Sequence, residues 1–167
     1  MNIMFVCTGN TCRSAMAEGL AKKQIKEKNI DINVCSSGIF AQKGEHASYN
    51  SVAIMKEYDV DIVTHTATPI EELDVEKMDL ILCATKGHKA QVIARYPSKS
   101  RLVYTMKEYA GIDNNGSDTD ISDPWGYDIN TFRICAAEIS LCIDKTIEKI
   151  QEDEGRKNSG KFNWQLK

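Results

Sequence analysis

Ile3-Met4-Phe5-Val6-Cys7-Thr8-Gly9-Asn10-Thr11-Cys12-Arg13-Ser14 begins as a continuous apolar run, breaks at a glycine-containing turn and leads into helix-forming Ala15-Met16-Ala17-Glu18-Gly19-Leu20-Ala21-Lys22. A short apolar run bounded by such a turn reads as a fully buried strand. The segment is therefore a strand, a tight loop and a helix in immediate succession. Backbone N–H groups of a loop in this position converge with the positive end of the helix, which suits a phosphate dianion. The same field suits a sulfur nucleophile at Cys7. Arg13 can fork onto two phosphate oxygens, a planar grip that lysine cannot copy. Taken alone, Cys7 reads as a buried cysteine closing a strand, with Arg13 facing solvent. The full spacing Cys-x5-Arg-Ser between strand and helix is far more specific, and it points to a phosphate site.

Outward from this segment, strands and helices alternate. Helical periodicity at Met16, Leu20 and Ile25 fades at Asn29, and Ile30, Ile32 and Val34 alternate with polar residues as a half-buried strand running into Cys35-Ser36-Ser37-Gly38. Ser48 to Tyr58 reads as a helix with a capping serine. Leu80-Ile81-Leu82-Cys83 is another buried strand, Thr85 caps a helix that stops before Pro97, and Leu102-Val103-Tyr104 is a fourth strand. Phe132, Cys135, Ala136, Ile139, Cys142, Ile143, Ile147 and Ile150 recur at three- and four-residue steps, the stripe of a long amphipathic helix. This order predicts an α/β fold, a single-domain three-layer sandwich with a parallel sheet covered by helices on both faces. Cys7 then lies at the carboxyl end of a central strand, where open α/β sheets bind ligands. Residues 1–151 form the domain; 152–167 read as a polar, flexible tail, with Phe162 and Trp164 leaving open a docking contact.

The 167 residues are 42% hydrophobic with a formal net charge of −3. Such a chain has enough apolar material for one core, and its charge gives no reason to expect a nucleic-acid or membrane partner. The start lacks the pattern of a secretory signal, so a cytoplasmic monomer is expected. The six cysteines, Cys7, Cys12, Cys35, Cys83, Cys135 and Cys142, show no Cys-x2-Cys spacing. Cys35, Cys83, Cys135 and Cys142 lie in apolar runs and read as reduced core residues.

Val6-Cys7-Thr8-Gly9-Asn10-Thr11-Cys12-Arg13-Ser14, together with Asp123-Pro124-Trp125-Gly126, resembles the low-molecular-weight protein tyrosine phosphatase family, and within it the bacterial branch that includes protein-arginine phosphatases. The resemblance runs from Met1 to about Gln151 and implies strand order 2-1-3-4. It implies that Cys7 attacks phosphorus to form a cysteinyl-phosphate, while Arg13 and the amides of Thr8, Gly9, Asn10, Thr11, Cys12 and Arg13, with Ser14 beside the sulfur, hold the phosphate. The leaving group also needs a proton. By sequence alone Asp123 is a turn residue before proline, in a loop crowded with Asp113, Asp118, Asp120 and Asp128. The family places its general acid and base in an Asp-Pro pair on this loop, which selects Asp123. Asn10 tolerates a left-handed backbone, and the resemblance implies a supporting network of Asn10, Ser14, Ser36 and His65. It also implies a protective disulfide between Cys7 and Cys12 on oxidation. No metal or other cofactor is expected, since Arg13 and the amides take the electrostatic role of a cation.

Thr11, Trp125 and Gly126 bear on the substrate, a phosphorylated protein. Tyrosine-specific relatives carry a bulky aliphatic residue where Thr11 stands, whereas threonine resembles the arginine-phosphatase branch. Trp125 offers a wall to either a phenyl ring or a guanidinium, and Tyr127 could replace an aromatic that Gly126 lacks. Phosphoarginine is thus preferred, with phosphotyrosine as the alternative. Thioredoxin-coupled arsenate reduction is a third reading; it needs relay cysteines, and beyond Cys83 the next helix has none through Tyr96.

Overall fold

A strand whose neighbours bury it on both sides must be apolar on both sides, and β1 (Asn2–Cys7) divides its side chains by parity. In the computed structural model, which describes residues 1–112 and 118–162 and side chains through Arg156, Ile3, Phe5 and Cys7 enter one apolar cluster. Met4 and Val6 enter another on the opposite face. β1 pairs in parallel with β2 (Asn33–Gly38) on one side and β3 (Leu80–Cys83) on the other, and β4 (Val103–Thr105) adds parallel to β3. The order is β2-β1-β3-β4, as the family resemblance implies. Register places Cys7 opposite Gly38 and Val6 opposite Cys83, so the carboxyl ends of the central strands share one edge.

The larger cluster joins the sheet to α1 (Arg13–Glu27), α2 (Tyr49–Glu57), the short α4 (Met106–Ala110) and α5 (Ile129–Phe162). Phe132, Cys135, Ala136, Ile139, Cys142, Ile143, Ile147 and Ile150 of α5 are all buried in it, so the stripe read from the sequence is the packed face. Ile139 is wholly buried, and its truncation to alanine costs about 2–5 kcal/mol. The opposite face is covered by α3 (Lys86–Arg95), through Val92 and Ile93, and by Ile70 and Val75 from short 3-10 turns.

Two local readings change. Ile30 and Ile32 precede β2: the Ile30 amide donates to the Ile25 carbonyl as the chain leaves α1, and Asn29 takes φ 51°. Their alternation reflects packing of a helix exit rather than a strand. The polar stretch after Gln151 continues α5 as far as Phe162, with Arg156 within 4 Å of both Glu152 and Asp153, one turn back. The docking contact read at Phe162 and Trp164 falls on side chains outside the described residues. No helix among the described residues is long and apolar enough to cross a membrane.

Candidate active site

β1 ends at Cys7 and α1 begins at Arg13, so five residues must reverse the chain. The carbonyls of Cys7, Thr8, Asn10, Thr11 and Cys12 are taken from outside the loop. Ile39 N–H donates to the Cys7 carbonyl (3.0 Å), Phe40 N–H to Thr8 (2.9 Å), Ser48 N–H to Thr11 (2.9 Å) and Met16 N–H to Cys12 (2.9 Å). His65 Nε2 lies 2.8 Å from the Asn10 carbonyl. Every peptide bond here is trans, so each outward carbonyl turns the next N–H the opposite way, into the concave side. Five amides are oriented in this manner, and the sixth, of Asn10, reaches the Cys7 sulfur at 3.3 Å. The turn is made possible by Asn10 at φ 57° and by Gly38, where a Cβ would stand 2.5 Å from the Thr8 carbonyl oxygen. In α1 the N-cap Cys12 makes no side-chain capping bond and the first turn holds no acid, so this helix end is left to an anion.

Cys7 is buried, and its sulfur lies 3.0 Å from Ser14 Oγ. Asn10 Nδ2 donates to both Ser14 Oγ and Ser36 Oγ at 2.8 Å, and Asn10 Oδ1 accepts from Thr68 N–H at 2.9 Å. The Ser14 hydroxyl, having accepted from Asn10, keeps its own proton to give to the sulfur or to the Ser37 carbonyl at 3.3 Å. Asn10, Ser14, Ser36 and His65 are thus brought together around the loop. Sequence reasoning did not identify Glu18, which accepts from Ser36 Oγ and lies 3.9 Å from His65 Nδ1.

Arg13 is 4% exposed, and a buried guanidinium demands partners. Nη1 donates to the Ile121 carbonyl at 3.1 Å, and Nη2 lies 3.1 Å from Asp123 Oδ2. Nε is buried with no hydrogen-bond partner among the described residues. The loop bearing Asp123 is moored by main chain: Ile121 N–H donates to the Ala84 carbonyl at 2.8 Å while its own carbonyl serves Arg13. Asp123 Oδ1 also accepts from Trp125 N–H. The acids that crowd this stretch have other employment. Asp120 accepts from Lys86 N–H at the start of α3, and Asp128 accepts from Thr131 at the start of α5, bonds that hold its carboxyl below the usual range. Asp118 lies 4.0 Å from Lys107, and Asp113 is outside the described residues.

Cys7, Thr8, Gly9, Thr11, Cys12, Arg13, Asp123 and Trp125 line one cavity of about 290 Å³, joined by Phe40, Gln42 and Glu45. The last three carried no sequence signal, being ordinary loop residues until the fold brings them to the rim. Gly126 is not in the lining; at φ 82° it serves the turn closed by Tyr127 N–H on the Pro124 carbonyl, behind Trp125. Cys12 Sγ donates to Ser48 Oγ at 3.4 Å, and both it and Cys7 are free thiols. Burial pushes Cys35 up to about 11 and Cys83, Cys135 and Cys142 up to about 12, so these four remain protonated thiols.

An anion cradle built around a sulfur has a distinctive chemistry to offer, transfer of a phosphoryl group to cysteine, and the fold carrying it is that of a cysteine-dependent phosphatase. Residues 2–156 match the family described as low molecular weight phosphotyrosine protein phosphatase, and the chain belongs to that family. A protein-arginine-phosphatase of Geobacillus stearothermophilus is 33% identical over 153 residues, covering 91% of this chain and 97% of its own. The low molecular weight protein-tyrosine-phosphatase PtpB of Staphylococcus haemolyticus is 37% identical over 145 residues, 87% of this chain and 96% of its own. Among solved structures, the YwlE arginine phosphatase in a cysteine-to-serine mutant with a phosphorylated active-site serine superposes with a TM-score of 0.84 at 32% identity. That match covers 92% of this chain and 97% of the other.

Proposed function

We propose that the protein is a protein phosphatase that works through a cysteinyl-phosphate on Cys7 and prefers phosphoarginine. The observation that carries the phosphatase reading is the pairing of Arg13 with both the loop and Asp123 at the mouth of the cavity that holds Cys7. In the first step the sulfur attacks phosphorus in line while the bond from phosphorus to the leaving nitrogen breaks. Arg13, with its unshared Nε–H, and the inward amides hold the equatorial oxygens, and Asp123 gives the departing guanidine its proton. In the second step Asp123 takes a proton from water as the oxygen attacks the phosphocysteine, releasing inorganic phosphate and restoring the thiolate. A YwlE arginine phosphatase phosphorylated on the serine that replaces its cysteine supports this covalent route.

Phosphoarginine is favoured by the polar part of the rim. Thr11, Gln42 and Glu45 line the cavity beside Trp125, and a flat, cationic group with several N–H donors finds acceptors there that a phenyl ring does not need. The second reading, phosphotyrosine, has the aromatic side chains in its support: Phe40 and Trp125 line the cavity and are both more than half exposed. Arsenate reduction by disulfide relay is disfavoured, because Cys83 packs with Met4 and Val6 on the face of the sheet opposite Cys7. A reduced, cytoplasmic setting agrees with six cysteines that all stand as free thiols. The test is turnover of phosphoarginine against phosphotyrosine by the purified reduced protein, with Cys7→Ser as control. A larger kcat/KM for phosphoarginine, abolished in the control, is expected; faster phosphotyrosine hydrolysis would assign the protein to the second reading.

A further inference from the structure

His88 takes no part in the steps above, yet it is 7% exposed and wedged between two hydroxyls in the first turn of α3. Its Nδ1 lies 2.9 Å from Thr85 Oγ1 and its Nε2 2.8 Å from Thr8 Oγ1. The direction of these bonds follows from counting protons. Thr85 caps α3, and its hydroxyl oxygen accepts the backbone N–H of His88 at 3.2 Å. The single hydroxyl proton of Thr85 is left to be given, and Nδ1 is the acceptor within reach. A neutral imidazole that accepts at Nδ1 carries its own proton on Nε2. That N–H is then donated to Thr8 Oγ1. Thr8, already an acceptor, keeps a proton to donate in turn, and it stands next to Cys7 in the wall of the cavity that holds Arg13. The ring is kept neutral: burial first, and Arg13 second, push His88 down to about 4, against the opposing pull of Asp123 and Asp120.

We propose that His88 is a positioning residue which, through the chain Thr85 to His88 to Thr8, aims the Thr8 hydroxyl at an oxygen of the phosphoryl group held in the loop. The inference rests on the phosphatase reading for the identity of the bound group, and it adds a side-chain donor to the backbone amides and Arg13. Its origin lies 80 residues away in sequence, on a different strand-to-helix connection.

Calorimetric titration with inorganic phosphate tests it without requiring turnover. Thr8→Val is expected to weaken phosphate binding roughly ten- to a hundredfold, the worth of one hydrogen bond to a charged group, while Thr8→Ser stays near wild type. His88→Ala is expected to match Thr8→Val, and the double variant to be no weaker than either single one, because the two residues act as one device. His88→Gln, which retains a side-chain N–H donor, should recover part of the loss. Fold-changes that multiply in the double variant would make His88 a structural residue and overturn the proposal. If His88→Ala does not fold, equal phosphate affinity in Thr8→Ser and Thr8→Val overturns it alone. A wild type that binds phosphate with this coupling but hydrolyses no phosphorylated substrate would instead overturn the phosphatase reading and leave the His88 device standing; a wild type that binds no phosphate overturns both.

Discussion

Asp123 Oδ2 stands 3.1 Å from Arg13 Nη2, a half-exposed carboxylate resting on a buried guanidinium. A phosphoryl group bound for in-line attack needs the same guanidinium, so the carboxylate and the phosphate compete for it. On the phosphatase reading the carboxylate yields Nη2 to the substrate.

Asp123→Ala should consequently act in two opposite directions. Inorganic phosphate should inhibit the variant at lower concentrations than the wild type, because the competing carboxylate is gone. Turnover of phosphoarginine should fall about 10²–10⁴-fold through loss of the acid, and that of an aryl phosphate with a good leaving group much less. Initial rates on both substrates, with phosphate as inhibitor, measure both effects; equal losses on the two substrates would remove the acid role.

Thr11→Ile and Glu45→Gln should each shift preference from phosphoarginine towards phosphotyrosine. Both residues line the cavity, one losing a hydroxyl to an aliphatic branch and the other a negative charge to a neutral amide. A contact difference of this kind is worth on the order of 1–3 kcal/mol, or roughly ten- to two-hundred-fold in the ratio of specificity constants. Ratios unchanged in both variants would place discrimination elsewhere on the rim.

Mild peroxide should inactivate the protein reversibly, with a mass two hydrogens lower and activity restored by a thiol reductant. Cys12 shares the cavity with Cys7 and is a free thiol, with long contacts to Ser48 Oγ at 3.4 Å and Thr11 Oγ1 at 3.7 Å. Cys12→Ser should lose this protection and accumulate irreversibly oxidised Cys7 under the same treatment. Equal recovery of the variant would show that a Cys7–Cys12 disulfide is not the safeguard.

His88 gives stability a pH dependence of definite sign. An unfolded histidine takes up its proton near 6.5, whereas burial holds the folded one down to about 4. Between these values the unfolded chain binds the extra proton, so stability is lost as pH falls through 6.5 and levels off near 4. The loss is at most on the order of 3 kcal/mol. Urea unfolding at pH 7.5 and 4.5 should show a larger drop for the wild type than for His88→Gln; identical drops would acquit His88.

The parts legible in the sequence are those whose cause is local. β1, its loop and α1 announce themselves because an apolar strand, a turn and a helix start are adjacent, and α5 because its period is sustained over five turns. Ile30 and Ile32 mislead because a helix exit packed against the core alternates as a strand does. The capping box of α4, Thr105 with Glu108, was there to be read as Thr-x-x-Glu and marks a helix too short to show a period. Asp123 could not be told from Asp120 or Asp128 by spacing; geometry separates them, since the other two cap helices. Thr85 gave His88 a local partner, but its link to the site had no local signal, for Thr8 lies on the loop after the neighbouring strand, 80 residues away.

The mooring of the Asp123 loop has a consequence for how such a protein can diverge. Ile121 is bound to Ala84 and to Arg13 through its own amide and carbonyl, groups that almost any amino acid supplies. Beyond the buried Ile121 and Pro124, Trp125 meets solvent at the mouth, and among the described residues its side chain carries none of the attachment. Mutation can therefore repaint the rim while the carboxylate keeps its station. A single substitution at Trp125 is expected to change substrate preference while leaving the reaction intact.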